Sequence, residues 1–268
     1  MPQHGRKGDN MPVKMIVTDL DETLLRRDKS ISDYTAGIFE RCREKGILVV
    51  FATARSEKAS ERFTSVIAPD IFISNGGALV RREEETLFRR ALSPATANAL
   101  ISQCLKTPDI GHITAETDNA YFATYKFDEN ISGSQDYPHL IYSDFSHEFD
   151  CEFYKVTVEF PDWQLAQKLA AAFPEVGVLS FSGESWVRFA HRDATKMNAV
   201  RAVSTKLGIP FQDIAAFGDD FNDVEMLQNC GCGVAVSNAV DEAKAAADYI
   251  CDSNEKDGVA KWIEEHLL

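Results

Sequence analysis

Met15-Ile16-Val17-Thr18-Asp19-Leu20-Asp21-Glu22-Thr23-Leu24 begins with four apolar or β-prone residues and turns acidic at Asp19. An apolar run without polar alternation reads as a strand covered on both faces. Ser32 then heads a segment from Asp33 to Lys45 with Ile38, Phe39 and Cys42 on one face and Gly46 beyond its end. That pattern is an N-capped amphipathic helix with a glycine stop. Ile47 to Phe51 is a second apolar run, so strand, helix and strand make a βαβ unit. Ile71-Phe72-Ile73 repeats the theme and breaks at Ser74-Asn75-Gly76-Gly77.

The C-terminal third has the same character. A helix is expected from Thr195 to Leu207, ending at Gly208, and Ile214 to Phe217 reads as a strand running into Gly218-Asp219. Val234-Ala235-Val236 is another short strand, with helices expected near Asp241 to Ala247 and Val259 to Leu267. The middle differs: Thr114 to Lys126 and Phe153 to Phe160 alternate as half-exposed antiparallel strands do. Helical stretches, Pro94 to Lys106 and Asp162 to Phe173, lie among them. The expected fold is α/β, a Rossmann-like parallel sheet over residues 13–81 and 189–268, with an α+β cap inserted at 82–188. Residues 1–12 read as a disordered extension.

The informative residues sit where strands end. Asp19 and Asp21 follow the first strand, Thr53 the second, and Asp219-Asp220-Phe221-Asn222-Asp223 a later one. In open parallel sheets ligands bind outside the carboxyl ends of strands. Carboxylates gathered there either take up protons or share a cation, and hard oxygen donors favour Mg²⁺ with a substrate phosphate in its shell.

Asp19-x-Asp21-x-Thr23, Thr53, Lys196 and Gly218-Asp219-x-x-Asn222-Asp223, in this order, resemble the motifs of the haloacid dehalogenase superfamily. Ser74 to Gly77, Val236 to Ala239 and Asn254 to Val259 resemble its Cof-type phosphatase branch, which carries an α/β cap. The 143 residues between Thr53 and Lys196 leave room for that cap. The resemblance implies a Mg²⁺-dependent phosphatase of a small phosphorylated metabolite, acting through an aspartyl-phosphate. It implies Asp19 as nucleophile and Asp21 as general acid and base. Mg²⁺ would be held by Asp19, the Asp21 main-chain carbonyl and Asp219, with Asp223 as a further ligand or a partner behind the ligands. The Leu20 N–H, Thr53, Ala54, Lys196 and Asn222 would bind the phosphoryl oxygens. A phosphomutase built on the same intermediate, or a non-catalytic binder of phosphorylated ligands, are the alternatives. Asp220 and Glu22 read as local structure.

The balance of 28 basic against 42 acidic residues, a net charge of −14, argues against binding nucleic acid or an anionic membrane. No apolar run approaches the roughly 18 residues of a membrane span. The N-terminus lacks the apolar stretch of a secretory signal. Six cysteines without a disulfide-like framework suit a cytoplasmic protein. Gly231-x-Gly233 lacks the third glycine of a dinucleotide-binding turn. His112, His139, His147, Tyr121, Tyr125 and Trp186 are the cap residues with chemistry to offer a leaving group.

Overall fold

The computed structural model describes residues 13–126, 140–180 and 185–268. The expected extension 1–12 and His139 lie outside them. Residues 13–88 with 195–268 form one compact unit, and Arg89–Ala194 form the other.

The first unit is built on β1 (Met15–Thr18), α1 (Asp33–Glu44), β2 (Leu48–Ala52), α2 (Glu57–Thr64), β3 (Ile71–Ser74), β4 (Leu79–Arg82) and β5 (Glu85–Arg89). In the second unit follow α3 (Pro94–Leu105), β6 (Ile113–Glu116), β7 (Tyr121–Ala123), β8 (Leu140–Tyr142), β9 (Lys155–Glu159), α4 (Trp163–Ala170), β10 (Val176–Ser180) and β11 (Trp186–His191). The chain then completes the first unit with α5 (Lys196–Leu207), β12 (Ile214–Gly218), α6 (Val224–Asn229), β13 (Cys232–Val236), α7 (Asp241–Ala246), β14 (Tyr249–Cys251) and α8 (Gly258–Leu267).

The sheet of the first unit runs in the order β14-β13-β12-β1-β2-β3-β4-β5. From β14 to β3 every neighbouring pair is parallel, and β3 meets β4 antiparallel. β1, β3, β12 and β13 are buried at every residue, as continuous apolar strands between two helical layers should be. Serine and threonine caps set the helix starts: Ser32 accepts from the Thr35 N–H and Thr195 from the Asn198 N–H, both at 3.1 Å. Gly208 closes α5 in the left-handed conformation at φ 66°.

β4 and β5 extend this sheet, so the passage into the second unit comes after Phe88, not after Arg81. The return likewise comes at Thr195, because β11 pairs with β9 and β10 of the second sheet. That sheet has the order β10-β11-β9-β6-β7-β8. It is antiparallel except for β7 and β8, which pair in parallel against the expectation of an antiparallel array. Ile113, Ala115, Val156, Val158, Val187 and Phe189 share one apolar core with α3 and α4 residues such as Leu100 and Ala166. Alternation puts Thr114, Glu116, Lys155, Thr157 and Arg188 on the other face, where the buried Lys155 and Glu116 pair at 2.9 Å.

Candidate active site

β12, β1 and β2 are parallel neighbours, in a register that aligns Phe217 with Thr18 and Thr18 with Phe51. The residues that follow them therefore emerge side by side: Asp219 past β12, Asp19 past β1 and Thr53 past β2. From β1 the chain builds outward through β2 and β3, then returns to the other side of β1 for β12, β13 and β14. Asp19 and Asp219 thus flank the point where strand order reverses, the place where open sheets leave a crevice.

Lys196 enters this cluster from the first turn of α5. Its Nζ donates to Asp19 Oδ1 at 2.7 Å and to Asp223 Oδ1 at 2.6 Å, and all three residues are buried. The start of α5 comes so close because Gly77, at φ +98°, has no side chain. A Cβ there would stand 2.2 Å from the Thr195 carbonyl carbon and 2.7 Å from the Lys196 nitrogen. Gly77→Ala is expected to destabilise the protein by about 2–4 kcal/mol and to displace Lys196, lowering kcat with it. Urea unfolding within about 0.5 kcal/mol of the parent protein would contradict this.

Gly218 plays the matching part on the other side. A Cβ there would lie 2.4 Å from that of Asp223, so its absence lets the loop fold Asp223 back over the strand end. Asp223 Oδ2 then accepts the N–H groups of Asp219 at 3.0 Å and Asp220 at 3.1 Å. Asp223 is therefore a buttress that fixes both Lys196 and the Asp219 backbone. Thr23 Oγ1 donates to Asp219 Oδ1 at 2.6 Å, so the third residue of the first motif orients the last.

Burial and proximity set the charge state. Burial pushes the Asp19 carboxyl up to about 7; Lys196 opposes this, while Asp223 and Asp21 add to it. Burial, then Asp19 and Asp223, push Asp219 up to about 9. Burial would strip the proton from Lys196, yet Asp19 and Asp223 outweigh it and hold its pKa above the ordinary value. One oxygen from each of Asp19, Asp219 and Asp223 lies within 4.8 Å of the others. The donor set is all carboxylate and carries more negative charge than one lysine balances, which fits a hard divalent cation.

Asp21 is held differently. Burial would raise its pKa, but Arg55 and Lys29 prevail and lower it to about 2. Arg55 Nε and Nη2 reach its two carboxylate oxygens at 2.6 and 2.9 Å, and Lys29 Nζ lies at 2.9 Å. Neither cation stood out in the sequence. Arg55 lies two residues past Thr53, the only cue available, and Lys29 sits in a polar loop with no spacing to mark it. Thr53 is buried and its Oγ1 accepts the Arg55 N–H at 3.1 Å, which leaves the hydroxyl proton to donate. The Leu20 side chain is buried in the core, and Ala54 and Asn222 are partly buried on the loops past β2 and β12. His112 and His147 are exposed, and Tyr121, Tyr125 and Trp186 are partly buried in the second unit.

The sheet thus carries Asp19 and Asp219 at its switch point, with a buried lysine bridging Asp19 and Asp223. The chain belongs to the haloacid dehalogenase-like hydrolase family, which it matches over residues 16–263. It is 26% identical over 264 residues to the 5-amino-6-(5-phospho-D-ribitylamino)uracil phosphatase YcsE of Bacillus subtilis, covering 97% of this chain and 98% of that one. It is also 26% identical to the phosphatase of the same name, YbjI, of Escherichia coli, covering 96% and 97%. Its fold superimposes on a sugar phosphatase of haloacid dehalogenase subclass IIB with a TM-score of 0.80, at 20% identity over 94% of this chain and 98% of that one. The protein is thus a phosphatase of this family, acting on phosphorylated substrates. No helix among the described residues is long and apolar enough to cross a membrane.

Proposed function

We propose that the protein is a Mg²⁺-dependent phosphatase of a small phosphorylated metabolite and works through a phosphorylated Asp19. The observation that carries this is the cluster at the ends of β12, β1 and β2, in which Lys196 fixes Asp19 while Thr23 fixes Asp219. Asp19, Asp219 and the Asp21 carbonyl would hold the cation, with Asp223 behind them. When bound, Mg²⁺ supplies Lewis-acid polarisation of the phosphoryl oxygens and offsets the carboxylate charge.

The residues of the chain do the rest. Asp19 Oδ attacks phosphorus, the bond from phosphorus to the leaving oxygen breaks, and Asp21 gives that oxygen its proton. Arg55 and Lys29 keep Asp21 ionised before substrate arrives. The negative charge of an incoming phosphate dianion raises the Asp21 pKa, and Asp21 takes up a proton from solvent water before donating it to the leaving oxygen. Asp21 then takes a proton from water as the water oxygen attacks phosphorus, and the bond from Asp19 to phosphorus breaks to release inorganic phosphate. The Leu20 N–H, Thr53 hydroxyl, Ala54, Lys196 ammonium and Asn222 amide bind the phosphoryl oxygens.

The relatives named for an aminouracil ribityl phosphate and the sugar phosphatase with the same fold support a polyhydroxylated phosphate ester as substrate. Six free cysteines, five of them buried, support a reducing, cytoplasmic setting. Phosphate release across sugar phosphates, ribityl phosphates, flavin mononucleotide and pyridoxal phosphate is the test. Release in step with turnover is expected with Mg²⁺, falling by at least about 100-fold after chelation and returning when Mg²⁺ is restored. Undiminished activity after exhaustive chelation would refute the metal assignment, and phosphoryl migration without release would identify a mutase.

A further inference from the structure

Just past Asp21 the backbone takes a conformation that something must hold. Glu22 sits at φ 54°, a left-handed region that residues with a Cβ seldom enter unless neighbours fix them there. Its carbonyl accepts from Asn238 Nδ2 at 2.7 Å. On the other side of the same amide, Asn238 Oδ1 accepts the Asn254 N–H at 3.1 Å. The buried Asn254 side chain donates in turn to the Leu25 carbonyl at 2.9 Å and faces Glu22 Oε2 at 3.5 Å.

The turn that carries Asn238 also reaches the other acidic loop. Ala239 closes it with a bond to the Val236 carbonyl at 3.0 Å, and the Val240 N–H donates to the Asp219 carbonyl at 2.8 Å. Residues 236–240 therefore grip the backbone on both sides of the crevice, next to Asp21 on one side and at Asp219 on the other. The β1–β12 pairing ends at Asp19, so past that point no sheet hydrogen bond sets the spacing between the loops. A side chain in this place needs a donor and an acceptor on one planar group, which an amide provides. Asn238 is itself exposed, so its packing matters little to the core.

We propose that Asn238 is a positioning residue, which spaces the loop bearing Asp19 and Asp21 against the loop bearing Asp219, with Asn254 as its backing. This rests on the reading of Asp19 as nucleophile and of the acidic cluster as the cation site. Groups that orient metal ligands from behind change activity or metal affinity by about 10–100-fold when lost, and Asn238 acts on the residue next to Asp21 on that scale.

The test compares Asn238→Ala, Asn238→Asp and Asp19→Asn with the parent protein. Asn238→Ala is expected to lower kcat for p-nitrophenyl phosphate by about 10–100-fold with KM within about twofold, and to weaken Mg²⁺ binding in calorimetry by about tenfold. Its melting temperature should fall by no more than about 4 °C. Asn238→Asp keeps the acceptor for the Asn254 N–H but opposes the Glu22 carbonyl, so it should be as impaired as Ala. Parent-like kcat and Mg²⁺ affinity in Asn238→Ala, recovery in Asn238→Asp, or a loss that tracks the unfolded fraction would each overturn the proposal. Asp19→Asn separates the two levels. If it is inactive while Asn238→Ala is unaffected, only the positioning role fails; if it keeps full activity, the reading of the site itself fails.

Discussion

Asp19→Asn is expected to give a folded protein whose kcat is lower by at least about 10⁴-fold, the scale on which removal of a nucleophile acts. The substitution changes one oxygen for an NH₂ group of almost the same size. The remaining amide oxygen can still accept from Lys196 Nζ, now at 2.7 Å from Asp19 Oδ1, so the lysine keeps a partner. The loss is chemical: an amide does not attack phosphorus, and no phosphorylated side chain forms. Burial already holds the Asp19 carboxyl up near 7, so a neutral group in its place is no great cost to the fold. Steady-state turnover and acid-quench trapping of labelled protein are the measurements. Activity within tenfold of the parent, or a trapped phosphoryl group in the variant, would remove Asp19 from the role.

Lys196→Met should act on both stability and turnover. The lysine is the cation shared by two buried carboxylates, at 2.7 and 2.6 Å. Breaking a buried pair by removing one partner typically costs about 3–5 kcal/mol, because the other charge is left in a medium that solvates it poorly. Part of that cost is relieved when a carboxyl takes up a proton, which makes the effect depend on pH. Asp19 has a folded pKa of about 7 even with the lysine present, against the ordinary aspartate value of 3.8. A carboxyl whose folded pKa is raised binds more protons in the folded protein between those values, so stability falls as pH rises through them. The variant, lacking the lysine, carries that window further upward. Its deficit in urea unfolding without added metal should therefore be larger at pH 8 than at pH 5. The same deficit at both pH values would mean that the two carboxylates do not depend on this lysine. Turnover should fall by at least about 10²-fold, as expected when a donor to the phosphoryl oxygens is lost.

The parts of the site legible in the sequence are those joined to a strand end. Asp19, Thr53 and Asp219 follow apolar runs short enough to be strands, so local pattern placed them at strand ends, whereas Lys196 stood out only through the motif resemblance. Glycine was legible only as a break. That Gly77 admits α5 depends on the Thr195 backbone, from a distant segment, 2.2 Å from the Cβ that is missing, and that Gly218 admits Asp223 depends on how the loop folds the Asp223 side chain back to 2.4 Å. The Arg55 and Lys29 grip on Asp21 was not legible either, since a cation two residues past a threonine looks like any other solvated one. Short elements such as β14, whose middle residue Ile250 is exposed, lacked the periodicity to be read, and the parallel pairing of β7 with β8 depends on partners rather than on pattern.

Apolar periodicity settles how each segment folds because it acts between near neighbours, and it was enough to define the βαβ core and the strand ends that bear acid. The decisions left to the tertiary structure are of another kind. They are which carboxylate shares a proton or a lysine with which, why Asp19 and Asp219 are held above the usual carboxylate range while Asp21 is held below it, and what spaces the two acidic loops. Electrostatic work depends on distance and burial, and residues 19, 196 and 223 acquire both only when the chain has closed around them.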